Sequence, residues 1–311
     1  MVDVAKNPVI ASSKNLAASA NGFYDIGIDV GAISTKVLIL HNAKDIIGKK
    51  VLPTTMQPDK LAKKMMDLLL KEQGIKREAV KHIIATGQGR KVIDFADMAR
   101  TEITAFAKGA YFLFPQAEVA VDVGGQGIRV MKLGEMGIVS DFRTNVKCSS
   151  CTGCFIDAMA IALDVGIENV GELSSSSLNP ETISTTCTIF AESEVVSLVA
   201  KGKKKEDILA GLNAMVAKKV GAVINTTRTR GPVFLGGGVG LNVDVIRKLK
   251  ERLAMDIYVP AYPQFVGALG AALFAPNPLI EEEEYEEYED EEEKSQEKGS
   301  FFSRLRSRRE K

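Results

Sequence analysis

One short pattern occurs twice in this 311-residue chain and constrains its fold more than any other feature. An Asp-Val-Gly triplet occupies residues 29–31 and again residues 122–124. Each copy follows an apolar stretch typical of a buried strand and precedes a second such stretch. A repeated strand–turn–strand unit of this kind predicts two domains that each open with the same hairpin.

The residue types in this hairpin suit phosphate chemistry. Glycine in a tight turn lets backbone N–H groups approach a phosphate, and an aspartate beside it can hold a hydrated metal ion. Either copy alone is equally consistent with an ordinary hairpin turn. The duplication favours two turns that face each other across a cleft and clamp a polyphosphate between the domains.

The four cysteines of the chain form the second informative pattern. Cys148, Cys151 and Cys154 have C-x2-C-x2-C spacing, and Cys187 follows in a second polar segment. Four clustered cysteines in a cytoplasmic protein indicate metal or redox chemistry more than structural disulfides. The sequence favours an iron–sulfur cluster, with a zinc site built from the four cysteines as the structural alternative.

Each cysteine segment precedes a predicted amphipathic helix. Apolar residues recur at helical spacing in both helices: Ile156, Met159, Ala160 and Leu163 in the first, and Phe190, Val195, Leu198 and Val199 in the second. A cysteine just before a helix faces free N–H groups and the positive end of the helix dipole. This setting lowers the pKa of a thiol and suits an anionic centre.

The remaining elements follow from periodicity and glycine placement. Helices are predicted over residues 59–74, 102–114, 205–226 and 265–275, with Glu102 placed where it could also face a nucleotide metal. Residues 231–253 read as strand, triple glycine and helix, whose backbone can approach a ligand closely, although this is not a Rossmann fingerprint. His41 and His82 are interpreted as surface or strand-edge residues and not as ligands.

Composition excludes several function classes. With 45% hydrophobic and 26% charged residues the chain has the composition of a soluble globular protein, and no apolar run approaches the ~20 residues of a transmembrane segment. Residues 1–22 read as a flexible leader without a signal-peptide core, which predicts a cytoplasmic location. Residues 277–311 read as a disordered acidic and basic tail, either solvated or a docking or membrane-surface anchor. The positive balance of the remaining chain is too diffuse to indicate nucleic acid binding and weakly suits an acidic electron carrier.

Eight motifs in order resemble one known family. They are GIDVGAISTKVLIL, ATGQGR, EITAFAKGA, DVGGQGIRV, KCSSCTGCFIDAMA, STTCTIFAESEV, GGGVGLN and GALGAALFA. Together they resemble the activators of 2-hydroxyacyl-CoA dehydratases and the ATPase subunits of benzoyl-CoA reductase, within the actin-like ATPase superfamily shared by sugar kinases and heat-shock chaperones. The resemblance runs from about Tyr24 to Ala275.

The resemblance implies an α/β fold of two actin-like domains with mixed sheets and a nucleotide cleft between them. It implies subdomain I over 23–115, subdomain II with the cysteine segments over 116–263, and a C-terminal helix over 264–276 that packs on subdomain I. ATP or ADP with Mg²⁺ is the implied ligand. The implied site comprises three sets of residues: Asp29, Gly31, Ser34, Thr35 and Lys36 in a first phosphate loop, Asp122, Gly124, Gly125 and Gln126 in a second, and Gly236, Gly237, Gly238 and Asn242 in an adenosine motif. Asp29, Asp122 and Gln126 are the implied catalytic residues.

The family also implies a mechanism. Its members are homodimers that hold one 4Fe–4S cluster across the twofold axis, and the matching positions here are Cys148 and Cys187 of each chain. ATP drives a strongly reducing electron from the cluster into a low-potential iron–sulfur enzyme, and ferredoxin or flavodoxin is the implied donor. We expect the helices after both cysteines to move with nucleotide state and to carry that change to the cluster.

Departures from the family pattern keep alternatives open. Ala32 and Ile33 replace Ser-Thr in the first loop and Gly127 replaces Asp in the second, which bears on hydrolysis more than on nucleotide binding. Cys151 and Cys154 stand where the family commonly has Gly and Arg, so a cluster held within each chain, or a second cluster, is an alternative to a shared one. A nucleotide-gated iron–sulfur scaffold or maturation factor is the alternative function, and a small-molecule kinase is a further one.

Overall fold

Two five-stranded mixed sheets form the framework of the protein. The computed structural model describes residues 22–145, 152–183 and 188–274, with the backbone alone for residues 188 and 189. The described chain divides into an N-terminal unit, residues 22–106 and 267–274, and a C-terminal unit, residues 107–266. The predicted borders at 115/116 and 263/264 lie near these divisions. The predicted tail, and the leader apart from Gly22, lie outside the described residues.

The sheet of the N-terminal unit has the strand order β3-β2-β1-β4-β5. Its strands are β1 (Tyr24–Val30), β2 (Ser34–His41), β3 (Asp45–Pro53), β4 (Val80–Thr86) and β5 (Met98–Ala99). The first three strands form an antiparallel meander, and β4 and β5 continue the sheet parallel to β1. This mixed pattern arises because β1 has a hairpin partner on one side and a crossover partner on the other.

Three helices contribute to the N-terminal unit: α1 (Pro58–Gln73), the first turns of α2 (Glu102–Leu113) and α8 (Val266–Ala272). Helix α1 starts with Pro58 at its first position and ends at Gly74 in the left-handed region (φ 66°), the usual start and stop signals. Helix α8 lies directly on β1, because a Cβ atom at Gly27 would be 1.8 Å from the carbonyl oxygen of Ala268.

The sheet of the C-terminal unit has the strand order β10-β9-β6-β7-β8. Its strands are β6 (Val119–Val123), β7 (Ile128–Leu133), β8 (Val139–Thr144), β9 (Val233–Gly236) and β10 (Ile257–Tyr258). Its helices are α3 (Gly153–Ala162), α4 (Val170–Ser175), α5 (Thr188–Ala200), α6 (Lys205–Thr226) and α7 (Val243–Leu253). Buried side chains of β6, β7 and β9 join those of α3, α6 and α7 in one apolar core.

The two sheets share one topology. Strands β6, β7 and β8 repeat the antiparallel meander of β1, β2 and β3, and β9 and β10 repeat the parallel strands β4 and β5. The predicted duplicated hairpin and the predicted class of two α/β units with mixed sheets are confirmed. Each Asp-Val-Gly triplet lies where the first strand of its sheet turns into the second.

The surface position expected for the two histidines is wrong for His41, whereas His82 is partly buried. His41 is 5% exposed and its ring stacks on Tyr24, with 4.8 Å between ring centroids. His82 lies on β4, between β1 and β5, and its Nδ1 is 2.8 Å from Oδ1 of the fully buried Asp25. The sequence around each histidine does not indicate its partner, because Tyr24 and Asp25 both lie on another strand of the sheet, β1.

No helix in the described part of the chain is both long and apolar enough to cross a membrane.

Candidate functional site

Each sheet presents one tight turn at the end of its first strand. In the N-terminal unit the backbone N–H of Gly31 donates to the carbonyl of Ser34 at 3.1 Å. In the C-terminal unit the N–H of Gly124 donates to the carbonyl of Gly127 at 3.0 Å. The two four-residue turns are therefore equivalent, and we call them the first turn (residues 31–34) and the second turn (residues 124–127).

An aspartate and a cation face each other across each hairpin. Asp29 pairs in register with Lys36, and Asp122 pairs in register with Arg129. The Lys36 Nζ lies 3.1 Å from Asp29 Oδ2, and the Arg129 Nη1 lies 3.2 Å from Asp122 Oδ2. In both pairs the carboxylate is 16% exposed and the cation 14% exposed. Because directly opposed residues share one face of an antiparallel pair, the register alone brings each cation to its carboxylate.

A glycine in the left-handed region closes the other side of each aspartate. Gly87 (φ 90°) follows β4, and a Cβ atom there would lie 2.6 Å from Asp29 Oδ1. Gly237 (φ 82°) follows β9, and a Cβ atom there would lie 2.5 Å from Asp122 Oδ1. Both the backbone angle and the lack of space exclude other residue types. Each aspartate is thus fixed between a cation and a glycine turn, at an edge suited to bind an anion with its metal.

Different parts of the chain hold the two turns in place. Thr54, at the end of β3, donates its hydroxyl to the carbonyl of Gly31 at 2.7 Å and its backbone N–H to the carbonyl of Ile33 at 2.9 Å. Its hydroxyl oxygen also lies 2.9 Å from that of Thr35, which is fully buried. The predicted ligand residue Thr35 therefore lies behind the first turn, where it braces the turn.

The start of helix α3 holds the second turn. The backbone N–H groups of Thr152 and Cys154 donate to the carbonyl of Gly125 at 3.0 and 3.1 Å, and that of Gly153 donates to the carbonyl of Gly124 at 3.1 Å. These are N–H groups that a helix leaves unpaired at its start. We predicted that such groups would face an anionic centre beside the cysteines; in α3 these three bind the second turn instead.

Gly153 permits this contact. A Cβ atom at Gly153 would lie 3.0 Å from the Gly124 carbonyl oxygen and 3.0 Å from the Gly125 Cα. Those separations are tighter than ordinary van der Waals contact, so a side chain would force the helix and the turn to shift apart by a few tenths of an ångström. The second turn and the start of α3 therefore form one tightly packed piece of backbone.

Three of the predicted metal ligands, Cys148, Cys151 and Cys187, lie outside the described residues. Cys154 is the second residue of α3, and it is disulfide-bonded. A cluster ligand is a thiolate, so this bond must be reduced before Cys154 can bind iron. Asp157 lies one turn further along α3, and burial raises the pKa of its carboxyl group.

The described residues that flank both cysteine segments are anchored. Before the first segment, the N–H of Asn145 donates to the carbonyl of Ile128 at 2.9 Å. Before the second, the N–H of Glu181 donates to the carbonyl of Asp207 at 3.0 Å, and its carboxylate lies 2.7 Å from Lys203 Nζ. The segments carrying Cys148 and Cys187 thus start from fixed points on β7 and α6.

The apolar face predicted for the first cysteine helix is confirmed, since all four of its predicted apolar residues are buried in α3 or directly after it. The face predicted for the second is partly wrong. Val195 is buried in α5, but Phe190 is 68% exposed and Val199 is 48% exposed. Val196 is also exposed, and so is Ile161 at 80% on α3. These four residues leave apolar side chains of both helices exposed.

The predicted adenosine motif forms a strand end, a turn and a helix cap. Gly236 ends β9, Gly237 turns the chain, and Gly238–Leu241 forms a short 3₁₀ helix. Asn242 caps α7, since its side-chain oxygen accepts from the second and third backbone N–H groups of that helix at 3.2 and 3.1 Å. A Cβ atom at Gly238 would meet nothing within 4 Å, so the turn leaves space there for a ligand.

A buried polar network fixes this cap. Asn213 of α6 is fully buried and donates to Ser174 Oγ at 2.7 Å and to Asp244 Oδ2 at 3.2 Å. Asn242 Nδ2 donates in turn to Asn213 Oδ1 at 3.1 Å. Asp244 is also fully buried, and its other oxygen lies 2.6 Å from Arg247 Nη2. A buried network of this kind holds one geometry when its members are satisfied.

Four residues of this site were absent from the residues that we selected from the sequence: Gly87, Arg129, Gly153 and Asn213. Arg129 carried a signal, because it follows Asp122 by the same seven positions that separate Lys36 from Asp29. The other three depend on contacts between elements that are distant in sequence. Gln126, a predicted catalytic residue, is exposed at the tip of the second turn.

The described carboxylates fit a hydrated magnesium ion and not a fully liganded metal site. No group of three or more His, Cys, Asp or Glu side chains that could hold a metal occurs among the described residues. Mg²⁺ usually keeps several waters and takes one or two carboxylates together with substrate phosphates. Asp29 and Asp122 each offer one partly exposed carboxylate beside a turn, which suits this mode of binding.

Comparison with known proteins agrees with this arrangement. A 2-hydroxyisocaproyl-CoA dehydratase activator from Clostridioides difficile is 36% identical over 81% of this chain and 94% of the relative. The (R)-2-hydroxyglutaryl-CoA dehydratase activating ATPase of Acidaminococcus fermentans is 37% identical over 81% of this chain and 96% of the relative.

Solved structures give the same result. The structure of the activator of the 2-hydroxyisocaproyl-CoA dehydratase from Clostridium difficile with bound ADPNP superposes with a TM-score of 0.77 at 34% identity, covering 88% of this chain and 98% of the other. This likeness shows an actin-like ATPase activator fold. The model of the BadF/BadG/BcrA/BcrD ATPase family matches residues 26–275. The chain belongs to the BadF/BadG/BcrA/BcrD ATPase family.

Proposed function

We propose that this protein uses ATP to drive low-potential electron transfer from an iron–sulfur cluster into a partner enzyme, a 2-hydroxyacyl-CoA dehydratase or a related reductase. One observation carries the proposal: helix α3, which follows the C-x2-C-x2-C segment, is hydrogen-bonded at its start to the second turn. The relatives named as dehydratase activators support the same role. A relative from Thauera aromatica at 28% identity, named as one of the subunits of benzoyl-CoA reductase, supports it too.

The nucleotide half of the proposal rests on the two turns. Backbone N–H groups of the turns and the Lys36 ammonium would bind the phosphates, and Gly236–Gly238 with Asn242 would hold the adenosine. Asp29 and Asp122 would hold Mg²⁺ through its waters, and bound Mg²⁺ would neutralise phosphate charge. Gln126, exposed at the tip of the second turn, would orient the attacking water.

The electron-transfer half rests on the cysteines. Cys148 and Cys187 from each of two chains would hold one shared 4Fe–4S cluster, which supplies one-electron chemistry at low potential when bound. Cys151 and Cys154 would be additional ligands if each chain held its own cluster. The donor set is all sulfur, the set that holds [4Fe–4S] clusters in most proteins.

A homodimer follows from the shared cluster. Phe190 and Ile161 expose most of their side chains on the two helices that follow the cysteine segments. Large exposed apolar side chains on both of these helices support their burial at a subunit interface. We propose that a second copy covers them, that reduced ferredoxin or flavodoxin supplies the electron, and that the protein acts in the cytoplasm of an anaerobe.

A short physical route would couple nucleotide binding to electron transfer. A nucleotide can shift an equilibrium between two conformations by no more than its difference in affinity for them. If ATP and ADP differ in their contacts with the second turn, the carbonyls of Gly124 and Gly125 carry that difference to α3. The conformation that ATP favours must, by reciprocity, also be the one that favours partner binding.

The test is anaerobic purification followed by iron and sulfide analysis, ATPase assay, and electron transfer to a 2-hydroxyacyl-CoA dehydratase. We expect about two irons per chain for a shared cluster and about four for a cluster in each chain. We also expect dehydratase activation that requires both ATP and a reductant. Cys148→Ser and Cys187→Ser should abolish the cluster. A chain that hydrolyses ATP but holds no iron, or that reduces no partner, contradicts the proposal.

A second candidate function has its own observation. Ala32 and Ile33 place exposed side chains without hydroxyls at the tip of the first turn, and Gly127 is buried where the family pattern has Asp. Fewer polar groups at the turns would lower the rate of ATP hydrolysis more than they would lower the affinity for ATP. A nucleotide-gated iron–sulfur scaffold would show ATP-dependent release of its cluster to a client protein without net ATP turnover. Comparing ATPase rates with and without the reduced cluster separates the two candidates.

A further inference from the structure

The two hairpins match at the level of single atoms. In each, a cation lies directly opposite the aspartate on the neighbouring strand and contacts its Oδ2, at 3.1 Å for Lys36 and 3.2 Å for Arg129. The same glycine geometry closes Oδ1 in both. A whole constellation of carboxylate, cation and glycine turn has been kept in both units, although their other side chains differ. This duplication extends beyond the residues that the family resemblance implied for the second loop.

The pair formed by Arg129 and Asp122 is largely buried but keeps access to solvent, with side chains 14% and 16% exposed. Removing two charges from water costs free energy that their attraction recovers only in part, so a buried ion pair is weak evidence of a purely stabilising role. The backbone beside this pair is uncovered at two glycines. A Cβ atom at Gly124 or at Gly238 would meet at most one atom within 4 Å. The pair thus stands at an open, anion-binding edge of the sheet.

We propose that Arg129 is a second phosphate-binding cation of the ATP site, equivalent to Lys36 in the first turn. This inference rests on the proposed binding of nucleotide at the second turn. The planar guanidinium can contact Asp122 and a phosphate oxygen at once, whereas the Lys36 ammonium is a compact charge. Arg129 would therefore contact both the carboxylate that would hold hydrated Mg²⁺ and the phosphates whose charge that ion would neutralise.

The role of Arg129 in hydrolysis is electrostatic. Water attacks the γ-phosphorus, the bond between that phosphorus and the β,γ-bridging oxygen breaks, and the products are ADP, phosphate and a proton. The transferred group and the leaving oxygen carry negative charge in the transition state, which a fixed guanidinium stabilises. Arg129 keeps its proton throughout, since its guanidinium stays charged.

The test compares Arg129→Gln and Arg129→Lys with the wild-type chain. Arg129→Gln should lower the ATP turnover number by about 10²- to 10³-fold, the loss expected when one charge-stabilising donor is removed. Arg129→Lys should keep more than about a tenth of the wild-type turnover. Arg143→Gln is the matched control, because Arg143 pairs with Asp141 on the exposed neighbouring strand β8. It should keep wild-type turnover.

A second readout excludes a merely structural role. In Arg129→Gln, Asp122 loses the cation that competes with Mg²⁺ for its charge. The Mg²⁺ concentration that half-saturates ADP binding, measured by calorimetry, should therefore fall several-fold while turnover also falls. Wild-type turnover in Arg129→Gln overturns the inference, as does lost turnover with an unchanged Mg²⁺ requirement. If wild-type protein hydrolyses ATP with this dependence on Arg129 yet activates no partner, the inference stands and the proposed function fails.

Discussion

An aspartate, a cation and a glycine lie beside each of the two turns, yet the turns are held by different parts of the protein. Thr54, a single residue directly after β3, holds the first turn through its hydroxyl and its backbone N–H. The start of a helix that follows a cysteine segment braces the second, through three backbone hydrogen bonds. A single residue holds the first turn locally, whereas a shift of the second turn would displace the start of a helix. We therefore expect the second turn, more than the first, to report the nucleotide state to α3.

The largest expected effect tests whether both turns are catalytic at all. Asp122→Asn removes the charge that would hold the hydrated metal, and we expect ATP turnover to fall by about 10²- to 10³-fold. Asp29→Asn should cost a similar factor if the duplicated turns act together. Steady-state ATPase assays at saturating Mg²⁺ measure both. Unchanged turnover in Asp122→Asn would remove the second turn from catalysis and break the comparison.

The next effect tests the difference between the two braces. Gly153→Ala places a Cβ atom 3.0 Å from the Gly124 carbonyl oxygen, so the start of α3 and the second turn must shift apart by a few tenths of an ångström. The difference that ATP and ADP make to the cluster's electron paramagnetic resonance spectrum should then shrink by about fivefold or more. Thr54→Val, the matched change behind the first turn, should leave that difference intact. If Thr54→Val and Gly153→Ala reduce it equally, the asymmetry between the turns is not functional.

A smaller effect is expected at the adenosine motif, where the two units also differ. The buried network around Asn213 holds the cap of α7 in the C-terminal unit, whereas the corresponding N-terminal loop is held by Arg90, whose Nη1 donates to the Gly87 carbonyl at 3.4 Å. Asn213→Ala leaves buried groups unsatisfied, which costs about 1–3 kcal/mol.

Asn213 fixes a binding loop and touches no reacting atom. We therefore expect Asn213→Ala to raise KM for ATP roughly tenfold with little change in kcat. Ser177→Ala is the control, since Ser177 donates to Asp207 on the same helix at 2.7 Å, away from the cap. A fall in kcat at unchanged KM would show that the network serves catalysis and not nucleotide binding.

The smallest effect concerns an acid four residues before each aspartate. Burial raises the pKa of Asp25 above its ordinary 3.8, against the opposing effect of His82. The nearby hydroxyl of Thr229 and the backbone N–H of Gly231, which donates to Glu118 Oε2 at 2.6 Å, lower the pKa of Glu118 below its ordinary 4.5. Asp25 therefore contributes stability below pH 3.8 that is lost as the pH rises through its folded pKa. Glu118 contributes stability above pH 4.5 that is lost as the pH falls through its folded pKa.

The two units should accordingly respond to acid in opposite directions at these positions. Glu118→Gln should destabilise the protein at pH 7 and approach wild-type stability at pH 3. The stability of Asp25→Asn relative to that of the wild type should increase as the pH rises from 3 to 7. Urea unfolding at a series of pH values measures both differences. A parallel pH profile for the two variants would contradict the assigned directions.

Sequence reasoning predicted what depends on local pattern. The duplicated triplet located both hairpins, and helical spacing located α3 and its buried face. Register was needed to see that Arg129 meets Asp122, although the shared spacing from Asp to cation was already visible. The role of Gly87 depends on the parallel pairing of β4 with β1, and the role of Gly153 depends on the contact between the start of α3 and the second turn. Neither contact is visible in the local sequence. The position of Phe190 was predicted wrongly because apolar residues at helical spacing normally indicate one covered face, whereas in α5 Val195 is buried and Phe190 is exposed.

The most direct test of the central claim is hydrogen exchange at the backbone amides of Thr152, Gly153 and Cys154, compared between ATP analogue, ADP and no nucleotide. Because these amides bind the second turn, their protection should change between the ATP analogue and ADP, while the amide of Thr54 changes little. Equal protection of residues 152–154 in all three states would contradict a second turn that reports nucleotide state to the cysteine helix.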